Sequence, residues 1–133
     1  MQIWRITVRH EPILLLDPEM DSAAELAAHL ESNGFPTRIE RSGAGAQAAF
    51  RGAHFATLIV IANLDDKACL DWLDDLRRAA ARSWMIVITP RCDAKTCSLI
   101  YRHGGDACVT APVSVDELTT RLTAFQSRAR PLY

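Results

Sequence analysis

The chain has 133 residues, 49% of them hydrophobic and 23% charged, with a formal net charge of -1. That length suits one domain with one core. The near-neutral balance gives no global electrostatic drive toward nucleic acid or an anionic membrane. No apolar run approaches the roughly 20 residues of a membrane span. The opening MQIWRITVRHE lacks the apolar stretch and cleavage site of a secretion signal. Cys69, Cys92, Cys97 and Cys108 contain no Cys-x-x-Cys pair. They are too sparse for a secreted disulfide scaffold, so the expectation is reduced thiols in a cytoplasmic protein. Without paired ligand spacing, no zinc site and no cofactor is expected.

In chain order, Gln2 to Val8 comes first, with Trp4, Ile6 and Val8 in alternation. It reads as an added edge strand, a dimer contact or a loosely packed tail. Ile13-Leu14-Leu15-Leu16 is a continuous apolar run. Such a run suits a central parallel strand covered on both faces. A helix follows from Ser22 to about Asn33, with Ala23, Leu26, Ala27 and Leu30 on one face, Ser22 and Glu25 as a capping box, and Gly34 as its stop. Pro36 to Glu40 is more polar and reads as an edge strand, followed by a helix over about 45–51 with Ala46, Ala49 and Phe50 inward.

Leu58-Ile59-Val60-Ile61 and Met85-Ile86-Val87-Ile88 are two more buried strands. Between them a helix over about 68–82 turns Cys69, Leu73, Leu76 and Ala80 inward. A fourth helix, about 94–103, ends at Gly104-Gly105, with His103 placed to meet the terminal carbonyls. Ala107 to Thr110 is the other edge strand. The last helix opens at Ser114 with a capping box to Glu117 and buries Leu118, Leu122 and Phe125. Trp84 reads as core cover, and Trp72 as partly exposed cover.

Five strands alternating with five helices imply an α/β layer fold with a parallel sheet. With right-handed crossovers, the simplest topology is flavodoxin-like, a five-stranded sheet in the order 2-1-3-4-5. Function in such a sheet sits at the carboxyl ends of strands 1, 3 and 4. The expected organisation is an extension over 1–11, a domain over 12–127 and a tail or linker over 128–133.

From Pro12 to Phe125 the chain resembles the receiver domain of bacterial two-component response regulators. Trp84 to Thr89 carries the likeness, followed by Gly104-Gly105-Asp106-Ala107-Cys108-Val109-Thr110-Ala111-Pro112-Val113 and Ser114 to Leu118. Receivers show there a strand ending in Thr or Ser, then Gly-Ala-x-x-Tyr-x-x-Lys-Pro-Phe and a helix start. Ile13 to Asp17, with Gly34-Phe35 after the first helix, is the second match.

The resemblance implies a five-part chemistry. An aspartate ending strand 3 is the phosphoryl acceptor. Two acids after strand 1 help bind Mg²⁺. A hydroxyl after strand 4 and a lysine after strand 5 hold the phosphoryl oxygens. In this chain the acceptor position is Ala62, between Ile61 and Asn63. Asp17 survives from the acid pair and Pro18 replaces its partner. Thr89 fits the hydroxyl and Ala111 replaces the lysine before Pro112. Cys108 takes the place of a switching aromatic. Asp65 and Asp66 lie past the strand end and read as loop acids. Asp17 reads as a relic or a local hydrogen-bond acceptor, with weak cation binding together with Glu19 as the sharper alternative.

The resulting expectation is a degenerate receiver domain, not an enzyme, acting as a phosphorylation-independent interaction module. Receivers communicate through the face of helix 4, strand 5 and helix 5. Here that face draws on Ile100, Tyr101, Cys108, Val109, Val113 and Thr119. Expected partners are a kinase, a phosphotransfer protein, a regulator or a second copy, with no membrane or nucleic-acid role. Arg121, Arg128 and Arg130 read as a solvated helix end. Cys92 and Cys97 flank the fourth helix start and read as inert thiols, with a redox switch as the sharper alternative. The alternative function is a small-ligand sensor taking a nucleotide or another anion.

Overall fold

The computed structural model describes residues 10–19, 22–62, 67–128 and 130–131. The Gln2 to Val8 segment and the acids Asp65 and Asp66 lie outside them, as does the Cys69 side chain. The elements are β1 (Ile13–Leu16), α1 (Ala23–Ser32), β2 (Thr37–Glu40), α2 (Gly43–Gly52), β3 (Thr57–Ile61), α3 (Lys67–Ala79), β4 (Trp84–Thr89), α4 (Ala94–Arg102), β5 (Ala107–Thr110) and α5 (Val115–Gln126). The strands form one sheet in the order β2-β1-β3-β4-β5, with every pairing parallel. Among the described residues, no helix is long and apolar enough to cross a membrane.

The central strands β1, β3 and β4 are apolar over most of their length because both sheet faces are covered. Leu14, Leu16, Leu58, Val60, Met85 and Val87 point one way, onto Ala46 and Ala49 of α2, Leu73 and Leu76 of α3 and Ile100 of α4. Ile13, Leu15, Ile59, Ile86, Ile88, Ala107 and Val109 point the other way, onto α1 and α5. The period of two therefore survives as a choice between two dry layers rather than between core and water.

Helix boundaries follow local chemistry. The Ser42 hydroxyl oxygen accepts from the Gly45 N–H at 2.9 Å, so α2 starts at Gly43, ahead of the expected 45. A Cβ on Gly43 would sit 1.8 Å from Trp72 Nε1, so only glycine admits the indole there. Ser114 caps α5 as expected, its Oγ accepting from Glu117 N–H at 3.3 Å. Ser22 makes no side-chain cap on α1, which corrects the capping box expected there. The nearby Asp17 carboxylate takes the Ser22 N–H instead, at 3.5 Å. Helix α3 stops at Ala79, short of the expected 82, because the Arg77 guanidinium folds back onto the carbonyls of Ala80 and Ser83.

Two further expectations are corrected. The His103 side chain does not serve the terminal carbonyls of α4; its Nδ1 lies 2.8 Å from Asp74 Oδ1. Nor is Arg130 a solvated cation. Its Nε donates to Asp106 Oδ2 at 2.9 Å, and its side chain keeps only 14% of its exposure. The same carboxylate oxygen accepts from Arg77 at 3.3 Å and from the Met85 N–H at 2.9 Å. Burial, and next the Arg130 guanidinium, press Arg77 below its ordinary pKa, against the Asp106 carboxylate that raises it. Trp84 stacks on Phe125 at 4.6 Å and donates to the Arg128 carbonyl at 3.2 Å.

Candidate functional site

Register brings four of the five residues singled out after the strands into one row. Leu16 pairs with Val60, Ile61 with Ile88, and Thr89 with Thr110. The ladder runs one step past the strands: Ala62 N–H donates to the Ile88 carbonyl at 3.0 Å and Ala111 N–H to the Thr89 carbonyl at 2.9 Å. Asp17, Ala62, Thr89 and Ala111 thus follow one another along the carboxyl edge of β1, β3, β4 and β5. Pro18 is next to them in sequence but exposed.

The chemistry of that row is sparse. Ala62 is 7% exposed and belongs to the apolar layer of Leu16, Val60 and Val87. A methyl group supplies neither a nucleophile nor a metal ligand. Asp17 is buried, and its two oxygens accept the Glu19 N–H at 3.1 Å and the Ser22 N–H at 3.5 Å. The carboxylate is committed to holding the β1–α1 connection. Thr89 is buried, and Ala111 is a half-buried methyl before a cis peptide to Pro112. Among the described residues the row thus offers one carboxylate, one hydroxyl and two methyl groups.

Beside this row, between α1 and the segment after β5, lies a cavity of about 290 Å³. Ile61, Ile88, Leu26 and Val113 make it largely apolar, while Ser22 and the pair Glu25 and His29, 3.9 Å apart, add polar groups.

The expected communication face is only partly a surface. Tyr101 is 55% exposed, and Val113 and Thr119 are half-buried. Ile100 and Val109 are buried at 0% and 4%, so they are removed from the face. Ile100 packs into the α2–α3 layer, and Val109 points opposite to Cys108, as the pleat of β5 requires.

The cysteines bring the largest correction. Cys92, in the loop after β4, forms a disulfide with Cys108 of β5, and Cys97 of α4 is free. Reduced, inert thiols were expected. The spacing hid the contact because β4 and β5 lie side by side, Val87 facing Cys108, with Cys92 five residues past Val87. The signal available in the sequence was that adjacency: two strands expected as neighbours, one carrying a cysteine and the other followed by one three residues past its end.

No protein-family model matches the chain. Among curated proteins, the "Probable transcriptional regulatory protein y4xI" of Sinorhizobium fredii is 28% identical over 116 residues, 87% of this chain and 50% of that protein. The chain thus spans about half the length of that curated relative. A two-component response regulator from Clostridium difficile matches at a TM-score of 0.79 and 17% identity, over 89% of this chain and 97% of that one. HP1043, an orphan response regulator of H. pylori, matches at 0.74 and 17% identity, over 89% and 98%. The chain has the fold of the CheY-like receiver domains of response regulators.

Proposed function

We propose that residues 12–127 form a degenerate receiver domain that acts in bacterial two-component-type signalling by binding a protein partner without phosphorylation. The observation that carries this reading is the Ala62 methyl, packed in an apolar layer where a phosphoryl acceptor would stand. An ordinary receiver gains about two negative charges and uses them to bias a two-state surface. This domain lacks that input, so its output face holds one state. The likeness to a transcriptional regulatory protein supports a regulatory setting.

The face offered is the exposed Tyr101 with Val113 and Thr119, and the partner is a kinase, a phosphotransfer protein, a regulator or a second copy, in the cytoplasm. Exposed aromatics are frequent anchors of such contacts. Capture from extract of the native cell, with no phosphoryl donor present, is expected to recover one of these partners. Tyr101→Ala is expected to reduce recovery at least roughly fivefold. Equal recovery by Tyr101→Ala would remove this face from the proposal.

The second reading, a small-ligand sensor, is favoured by the cavity beside the carboxyl edge, with Glu25 and His29 at its rim. A ligand that fills it raises the melting temperature by mass action, whereas a docking face leaves it unchanged by small molecules.

A further inference from the structure

Cys92, Cys97 and Cys108 come from a loop, a helix and a strand, yet their sulfurs all lie within 4.8 Å of one another. Cys97 Sγ is 2.8 Å from Cys92 Sγ. A disulfide needs two of them; its presence does not account for a third thiol aimed at the same point. All three side chains are half-buried, so a small ion can reach them from solvent.

We propose that the three sulfurs, with the Cys92–Cys108 bond reduced, form a binding site for one soft d¹⁰ cation of the Zn²⁺, Cd²⁺ or Cu⁺ class. Metal–sulfur bonds of about 2.3 Å set ligand sulfurs roughly 4 Å apart, the spacing this cluster already permits. Thiolates select soft ions over Mg²⁺ or Ca²⁺, which take oxygen. Among the described residues no histidine or carboxylate joins the group, so three ligands and one open position remain for water. Arg91 and Lys95, both exposed, flank the site in sequence and offset part of the thiolate charge, and Cys97 stands near the positive end of α4.

The disulfide is then the closed form of the same site. Its formation removes two electrons and two protons from Cys92 and Cys108. A low-molecular-weight disulfide such as oxidised glutathione accepts them and leaves as two thiols. Cys97 alone then remains, and one thiol does not retain the ion. Ion binding ties the β4–α4 loop to β5 as the disulfide does and adds α4 through Cys97, reversibly and under the control of metal supply. This inference is independent of the missing phosphoryl acceptor.

The test is anaerobic titration of the reduced full chain with Cd²⁺. It is followed by native mass spectrometry and by the ultraviolet thiolate-to-metal charge-transfer band. The expected result is one Cd²⁺ per chain, with the band absent in the oxidised protein and restored by reductant. Cys92→Ser, Cys97→Ser and Cys108→Ser are each expected to weaken binding by at least about tenfold. Cys69→Ser is expected to leave it unchanged. Alkylation of the wild-type chain provides a readout that needs no variant: Cd²⁺ should protect Cys92, Cys97 and Cys108 together. The reduced chain failing to bind Cd²⁺ stoichiometrically, Cys97→Ser binding as wild type, or Cd²⁺ leaving Cys97 open to alkylation would each overturn the proposal.

Discussion

At the scale of single residues, Asp93 shows how one side chain sets a helix boundary. Its carboxylate accepts the Thr96 N–H at 2.8 Å and opens α4, the helix that carries Cys97 and Tyr101. That hydrogen bond, and next the cations Arg91 and Lys95, lower its pKa from the ordinary 3.8. A carboxylate with a depressed folded pKa contributes stability that is present above the unfolded value and lost as pH falls through the folded one. Stability is therefore expected to decline in acid at and below about 3.8, and the decline should be shallower in Asp93→Asn. Urea unfolding across that range measures it; an identical slope in the variant would show that the cap is not coupled to the proton.

Gly104 illustrates a different constraint. Its φ of 99° and a Cβ position 2.5 Å from Arg77 Cγ leave room for glycine alone, and the turn after α4 depends on it. The paired glycines there were readable as a helix stop. What they make room for, an arginine from α3, was not, because that contact joins positions 27 residues apart.

At the scale of elements, Asp106 is the joint. It precedes β5 and gathers Arg77 from α3, the backbone of β4 and Arg130 beyond α5. Asp106→Ala leaves two half-buried guanidinium groups and a strand N–H without this acceptor. Partly solvated, they should cost about 2–3 kcal/mol of stability in denaturant unfolding. A loss below about 0.5 kcal/mol would place the pair among ordinary surface bridges.

The strands were legible because a four-residue apolar run with turn residues at both ends has few other uses. Helix faces were legible from spacing alone: Leu26, Leu30, Leu73, Leu76, Leu118 and Leu122 are all buried. The communication face was read less well. Consecutive residues of β5 were assigned to one surface, although a strand sends neighbours to opposite faces, and Val109 is accordingly buried. The capping box failed at α1, where the Ser22 N–H that the Glu25 carboxylate would take in such a box goes to Asp17 instead. The disulfide was missed because cysteine spacing along the chain says little about a contact made across a parallel sheet.

For the whole molecule, the sheet order and the layers are those of a receiver, and the row of residues at its carboxyl edge is chemically poor. The sequence already placed Asp17, Ala62, Thr89 and Ala111 there, since each immediately follows or ends a legible strand. The use made of Asp17 needed coordinates, because it depends on which backbone N–H groups face the carboxylate. Asp17 is the one acid of that row among the described residues, and its oxygens already accept the Glu19 and Ser22 N–H groups, so the row has little to offer a hard cation. Millimolar Mg²⁺ is therefore expected to leave the melting temperature unchanged; a saturable rise would reveal an oxygen site elsewhere in the chain.

The most direct test of a receiver fold working without phosphorylation is intact-mass measurement after incubation with Mg²⁺ and a small-molecule phosphoryl donor such as acetyl phosphate. The expected spectrum shows the unmodified chain at every time point, beside a conventional receiver that gains one phosphoryl group under the same conditions. A stoichiometric adduct on this chain, stable or transient, would contradict it and would assign the acceptor to a residue other than Ala62.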